Sequence, residues 1–193
     1  MIRVALVGKI GSGKTFISEL FGYPVFNADK IVSKIYAEDK KIYKKLKKQL
    51  PNFFLNFPIK KKELIKAIEK NKKNIKIISS IVHPEVRKNL NIFLKKNKKK
   101  KLVVLDIPLF LENKLNKIND KIIFVDSKTS DISKRIKTRE NFNKKIFERL
   151  KNLQYSINKK KKSSSFIIKN NFKKNLVKKA VKDIMVKIIP WKK

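Results

Sequence analysis

The sequence has no cysteine, which removes any disulfide framework and any thiolate metal site and suits a reducing, cytoplasmic setting. No apolar run approaches the ~20 residues that a membrane span needs, so no membrane partner is expected. The stretch Val4–Val7 is too short for the hydrophobic region of a signal peptide, and a glycine loop follows it directly. Acidic residues are scarce, 15 against 52 basic ones, for a net charge of +37. Arginine is scarce as well: only Arg3, Arg87, Arg135, Arg139 and Arg149 occur, whereas proteins that read bases and grip phosphates in bidentate fashion lean on arginine. Lysine, isoleucine and asparagine make up nearly half the chain, and all three have A/T-rich codons. Codon drift therefore accounts for the charge, and no nucleic-acid partner is expected. Such a field still draws anions, nucleotides included, most strongly at low salt.

Glycine is the informative scarcity. Three of the four glycines fall within six consecutive positions, in "VALVGKIGSGKTFI" (4–17). An apolar strand precedes the loop, over 2–7, and a helix is predicted after it, over about 13–21. "VFNAD" (25–29) reads as a short second strand. The chain is helical in pattern from 30 to about 101, broken at Pro51 and Pro58, and a new helix is predicted to start after "HPE" with Pro84 in its first turn. "KLVVLD" (101–106), "KIIFVD" (121–126) and "FIIK" (166–169) are three further strands, with a last helix over 173–189. "NKKKKSSS" (158–165) is of low complexity and reads as a surface turn. Apolar strands alternating with helices predict an α/β fold, a parallel sheet covered by helices. The stretch 30–100 is too long for one crossover and reads as a helical subdomain.

Gly8-x-x-x-x-Gly13-Lys14-Thr15 is the Walker A pattern in its required place, after a strand and before a helix. Residues Gly8, Lys9, Ile10, Gly11, Ser12, Gly13, Lys14, Thr15 and Phe16 form the candidate nucleotide loop. Its backbone must curl so that several N–H groups meet one phosphate, which demands glycine-type dihedrals and no Cβ in the way. The helix end adds its free N–H groups and positive dipole. Lys14 then reaches the β- and γ-phosphates of ATP, and the Thr15 hydroxyl is a ligand for Mg²⁺. "LVVLD" fits the apolar strand ending in an acid that completes such a site, making Asp106 the second candidate metal ligand. Asp126, after "IIFV", fits the same pattern but precedes a helix entry, and a turn or capping role suits it better.

A nucleotide loop leaves several enzyme classes open. The chain is short for a motor or most helicases, and it lacks an "NKxD" guanine reader, which leaves small kinases. Here the sequence resembles the dephospho-coenzyme A kinase family. The matching segments are "GKIGSGKT" (8–15), "FNAD" (26–29), "VHPEVR" (82–87), "VLDIPLFLEN" (104–113), "IIFVD" (122–126), "RIKTRE" (135–140), "RLKNLQ" (149–154) and "FIIKNN" (166–171). The resemblance implies ATP-dependent phosphorylation of the ribose 3′-hydroxyl of dephospho-coenzyme A; a monomer is expected. It also implies a five-stranded parallel sheet of nucleoside-monophosphate-kinase type, with 1–29 and 101–193 as core, 30–100 as the helical acceptor subdomain, and a lid over about 134–158.

By the same resemblance, Asp29 orients or deprotonates the acceptor hydroxyl, and Arg139 neutralises phosphate charge from the lid with Arg135 assisting. Asn170 lies near the adenine, and Glu112 and Arg87 face the acceptor pocket. His83, the only histidine, opens a predicted helix, and no proton transfer is assigned to it. The chain departs from the family at Asn27, where an acid is usual, at Ser165, usually Asp, and at Phe172, usually glycine. Two rivals remain at this level: another small kinase, acting on a nucleoside monophosphate or similar acceptor, and a nucleic-acid-binding ATPase suggested by the charge.

Overall fold

A computed structural model describes residues 1–138 and 143–189. In chain order the elements are β1 (Ile2–Gly8), α1 (Lys14–Leu20), β2 (Val25–Asn27), α2 (Ala28–Glu38), α3 (Lys40–Gln49), α4 (Lys61–Lys70) and α5 (Asn74–Lys96). They continue with β3 (Leu102–Asp106), β4 (Lys121–Asp126), α6 (Thr129–Lys137), α7 (Lys144–Asn152), α8 (Ile157–Lys162), β5 (Phe166–Lys169) and α9 (Lys174–Ile188). The chain forms two compact units, one of Met1–Asn27, Lys96–Phe142 and Lys151–Lys193, the other of Ala28–Lys95 and Asn143–Leu150.

The first unit is built on an all-parallel sheet in the order β2-β3-β1-β4-β5. Both faces of a parallel sheet are covered, so its strands must be apolar throughout rather than alternating. Every residue of β3 is buried, as are Val4–Gly8 of β1 up to its last position, where the loop begins. Helix α9 carries Val177, Val181, Ile184 and Ile188 along one stripe, and these join Val4, Leu6, Ile17, Phe21, Val104 and Ile123 in one core. Each such burial stabilises by roughly 1.5–3 kcal/mol. The sheet register sets Asn27 opposite Asp106 and Gly8 opposite Val125, so the carboxyl ends of four strands carry the loop and its neighbours.

The second unit has its own core of Ile35, Ile42, Leu46, Phe54, Ala67, Ile78 and Val82. Asp39 starts α3 by accepting from the backbone N–H groups of Lys41 (2.9 Å) and Ile42 (3.0 Å). Glu69 of α4 ties in the later segment, accepting from the Asn143 amide at 2.9 Å through its side chain and from Arg149 at 3.2 Å through its carbonyl.

Three expectations from the sequence need correction. No helix starts at "HPE": α5 runs through Pro84 without a break. The ring removes the bond its N–H would give the Ser80 carbonyl, at about 3 kcal/mol in a helix interior. Burial of Ile78, Val82 and Leu90 on the same helix more than offsets that. The "VFNAD" strand stops at Asn27, so Asp29 sits in the first turn of α2, where a carboxylate suits the helix dipole. Finally, "NKKKKSSS" is not a surface turn. Ser156 caps α8 there, accepting from the Lys159 N–H at 3.3 Å, and Lys160 on that helix is only 4% exposed.

Candidate active site

The loop after β1 needs its glycines for two reasons at once. Gly11 (φ +83°) and Gly13 (φ +87°) are in the left-handed region, which disfavours any residue with a Cβ. There is also no room: a Cβ on Gly11 would lie 2.6 Å from Ile136 Cδ1, and one on Gly13 would lie 2.5 Å from Asn170 Nδ2. Gly13 opens α1 without a side-chain cap, so the helix's first N–H groups are of the kind an anion takes.

Side chains from three other segments hold this loop in shape. Asn170, just past β5 and buried, donates from Nδ2 to the Ser12 carbonyl at 2.8 Å, and Ser127 Oγ donates to the same oxygen at 3.0 Å. The Ile10 N–H donates to Gln154 Oε1 at 3.4 Å, and Lys9 Nζ donates to Thr129 Oγ1 at 2.8 Å. Ser12 Oγ is buried with no hydrogen-bond partner among the described residues. Lys14 folds back on its own loop, its ammonium donating to the Lys9 carbonyl at 2.9 Å and the Gly8 carbonyl at 3.4 Å.

Beside the loop, Thr15 Oγ1 donates to Asp106 Oδ2 at 2.7 Å, and Asn27 Nδ2 donates to the same oxygen at 2.9 Å. Asp106 is 4% exposed, so this carboxylate is fixed by two donors in a mostly dry position. A hydroxyl and a carboxylate in contact are hard oxygen donors of the kind Mg²⁺ prefers. Among the described residues no three of His, Cys, Asp or Glu gather to cage a metal. An ion here would thus complete its shell with water and phosphate oxygens, as Mg²⁺ commonly does.

Asp29 belongs to the second unit, two residues along the chain from Asn27. Arg135 lies on α6 with its guanidinium 4.5 Å from the centre of the Phe172 ring, and Phe16 is 37% exposed on α1. Arg139 lies outside the described residues. Asp126 forms an ion pair with Lys161 at 2.9 Å. Glu112 is likewise engaged: Lys160 Nζ lies 3.0 Å from its Oε1, which also accepts the Tyr155 N–H at 2.8 Å. His83, in α5, has its pKa lowered by burial and then by the nearby Arg87 charge, so it is neutral at pH 7. Sequence reasoning assigned no role to Ser127, Gln154 or Lys160. Gln154 closes the quoted segment "RLKNLQ", which was the available signal for it, whereas the lysine run conceals Lys160.

The family model described as dephospho-CoA kinase (CoaE) matches residues 2–175 of the chain. The dephospho-CoA kinase of Wolbachia pipientis is 36% identical over 187 residues, covering 94% of this chain and 95% of that protein. The corresponding kinase of Zymomonas mobilis is 30% identical, with 88% of each chain covered. Among solved structures, dephospho-CoA kinase from Campylobacter jejuni superposes with a TM-score of 0.63 at 25% identity, covering 98% of both chains. A Thermus thermophilus protein shares the fold with a TM-score of 0.75 at 22% identity, covering 96% of this chain and 97% of that one.

Proposed function

The chain belongs to the dephospho-CoA kinase family, and from that premise we propose how its residues phosphorylate the ribose 3′-hydroxyl of dephospho-coenzyme A with ATP as donor. The loop Gly8–Thr15 takes the triphosphate, its backbone N–H groups and the start of α1 meeting the phosphate oxygens. Lys14 leaves the carbonyls of Gly8 and Lys9 and turns to the β- and γ-phosphates. Thr15 and Asp106 would hold Mg²⁺, directly or through water, with Asn27 fixing the Asp106 carboxylate from the side, and an ion held there would supply charge neutralisation to the phosphates.

Asp29 orients the 3′-hydroxyl and accepts its proton. The hydroxyl oxygen bonds to the γ-phosphorus as the bond from phosphorus to the β–γ bridging oxygen breaks, and ADP departs with that electron pair. The transition state is loose, so placing the hydroxyl in line matters more than the basicity of Asp29. Arg135 and Arg139 offset the charge on the transferring group from a lid over about 134–158, and Asn170 borders the adenine while bracing Ser12. The protein acts as a cytoplasmic monomer, without a nucleic-acid partner.

One observation supports the arrangement above all others: the Thr15 hydroxyl, next after the loop lysine, meets a buried carboxylate at the carboxyl end of the adjacent strand, 2.7 Å away. The deciding experiment is a coupled ADP-release assay with Mg-ATP and dephospho-coenzyme A as sole acceptor, beside a panel of nucleoside monophosphates. Turnover with dephospho-coenzyme A is expected; turnover confined to the monophosphates would overturn the acceptor.

A further inference from the structure

Helix α8 is a run of lysines, and three of its four differ from the fourth in an ordinary way. Lys159 lies over the Tyr155 ring at 3.5 Å, Lys161 pairs with Asp126, and Lys162 is exposed. Lys160 instead points inward, with its side chain 5% exposed against Glu112 at 9%. Replacing a buried ion pair by apolar side chains of similar volume is often neutral or stabilising, so stability alone is a weak reason for this one.

What else the ammonium touches is the Gly8 carbonyl, the last of β1 and the first of the loop. Three side-chain donors among the described residues surround that oxygen: Lys14 Nζ at 3.4 Å, Gln154 Nε2 at 3.4 Å and Lys160 Nζ at 3.5 Å. A carbonyl has two lone pairs, and good N–H···O bonds run at about 2.7–3.2 Å. Three donors at these lengths share an acceptor that has good places for two. Removing Lys14 leaves as many donors as lone pairs.

We propose that Lys160, fixed by Glu112, is a positioning residue of the nucleotide loop. It takes over the Gly8 carbonyl, with Gln154, when Lys14 turns to the phosphates. The loop then keeps its backbone N–H groups converged on the nucleotide although its own lysine has let go. The buried ammonium also places a second fixed positive charge beside the phosphate site. The proposal rests on the phosphate role of Lys14 given above.

The test measures binding of Mg-ADP by calorimetry and urea unfolding without nucleotide, for full-length variants. Lys160→Met alone leaves Glu112 buried and unpaired and should unfold at lower urea, so the informative variant is Glu112→Gln/Lys160→Met, which removes both charges. The double variant is expected to regain most of the lost stability while binding Mg-ADP roughly tenfold more weakly. Gln154→Leu, a change at a half-exposed residue, should weaken binding by about threefold. KM for ATP should rise in both, and Gln154→Leu should leave KM for dephospho-coenzyme A unchanged. A double variant that binds Mg-ADP within twofold of the wild type would reduce the pair to a structural ion pair and sink the proposal. Lys14→Ala separates the two levels. If it alone loses affinity, the hand-over fails and the loop reading stands; if it keeps full affinity, both fail.

Discussion

Replacing Gly13 by alanine tests the geometry of the loop with a magnitude that can be worked out in advance. Two terms add. Holding a non-glycine residue at φ +87° costs roughly 1–2 kcal/mol. The new Cβ would also stand 2.5 Å from Asn170 Nδ2, so the amide must withdraw and lose its 2.8 Å bond to the Ser12 carbonyl. That amide is buried, and a lost bond of this kind costs about 1–2 kcal/mol more. The sum is about 2–4 kcal/mol, or roughly 4–16 °C in Tm for a chain of this length.

Gly22 is the internal control. Its φ is +67°, but nothing among the described residues lies within 4 Å of a Cβ built on it, so Gly22→Ala should show the conformational term alone. Urea unfolding followed by far-UV circular dichroism should therefore rank Gly13→Ala well below Gly22→Ala. The cycle closes with Asn170→Ala: in that background the clash with the amide is gone and only Phe172 Cε1, at 3.3 Å, stands close, so the further cost of Gly13→Ala should shrink toward that of Gly22→Ala. Equal midpoints for Gly13→Ala and Gly22→Ala in the wild-type background would refute the contact argument. A harmless Gly22→Ala would refute the conformational one.

Lys14→Ala should abolish phosphoryl transfer in the ADP-release assay while the urea midpoint stays near the wild-type value; wild-type turnover would remove the loop lysine from the mechanism. Asp29→Asn should lower kcat by tenfold or more and change ATP affinity by less than threefold, and an unchanged kcat would leave the residue as a favourable charge at the start of α2. Asp106→Asn should raise the Mg²⁺ concentration needed for half-maximal rate several-fold, since one anionic oxygen beside Thr15 is lost; an unaltered Mg²⁺ dependence would count against the ligand assignment. His83 has a folded-state pKa below its ordinary 6.5, so the unfolded chain binds its proton more readily, and stability falls as pH drops from 6.5 through the folded value. His83→Asn should therefore narrow the stability difference between pH 7.5 and pH 5.5, measured by urea unfolding, and an unchanged difference would contradict the shift.

The parts legible in the sequence were those fixed by local chemistry. All five strands followed from apolar runs, because the central strands of a parallel sheet, buried on both faces, leave little choice of residue, whereas the edge strand β5 keeps Ile167 half exposed. The loop followed from the clustering of glycine in a chain nearly devoid of it. What stayed hidden depended on contacts distant in the chain. Pro84 is a helix breaker by itself and a tolerated interior residue once Ile78 and Val82 are buried in the second unit. Phe172, read as a departure from a usual glycine, does hold the left-handed backbone that favours glycine, at φ +62°. Its amide N–H is held by Asn170 Oδ1 at 2.9 Å, and its ring carries the Arg135 guanidinium, contacts that offset a strain of about 1–2 kcal/mol. Lys160 is the hardest case, since no local property separates it from the other 46 lysines. Only the fold, by bringing Glu112 and the Gly8 carbonyl to one buried point, makes that lysine different in kind. In a chain whose codon bias supplies lysine everywhere, exposure rather than residue type is what distinguishes a functional cation from a solvated one.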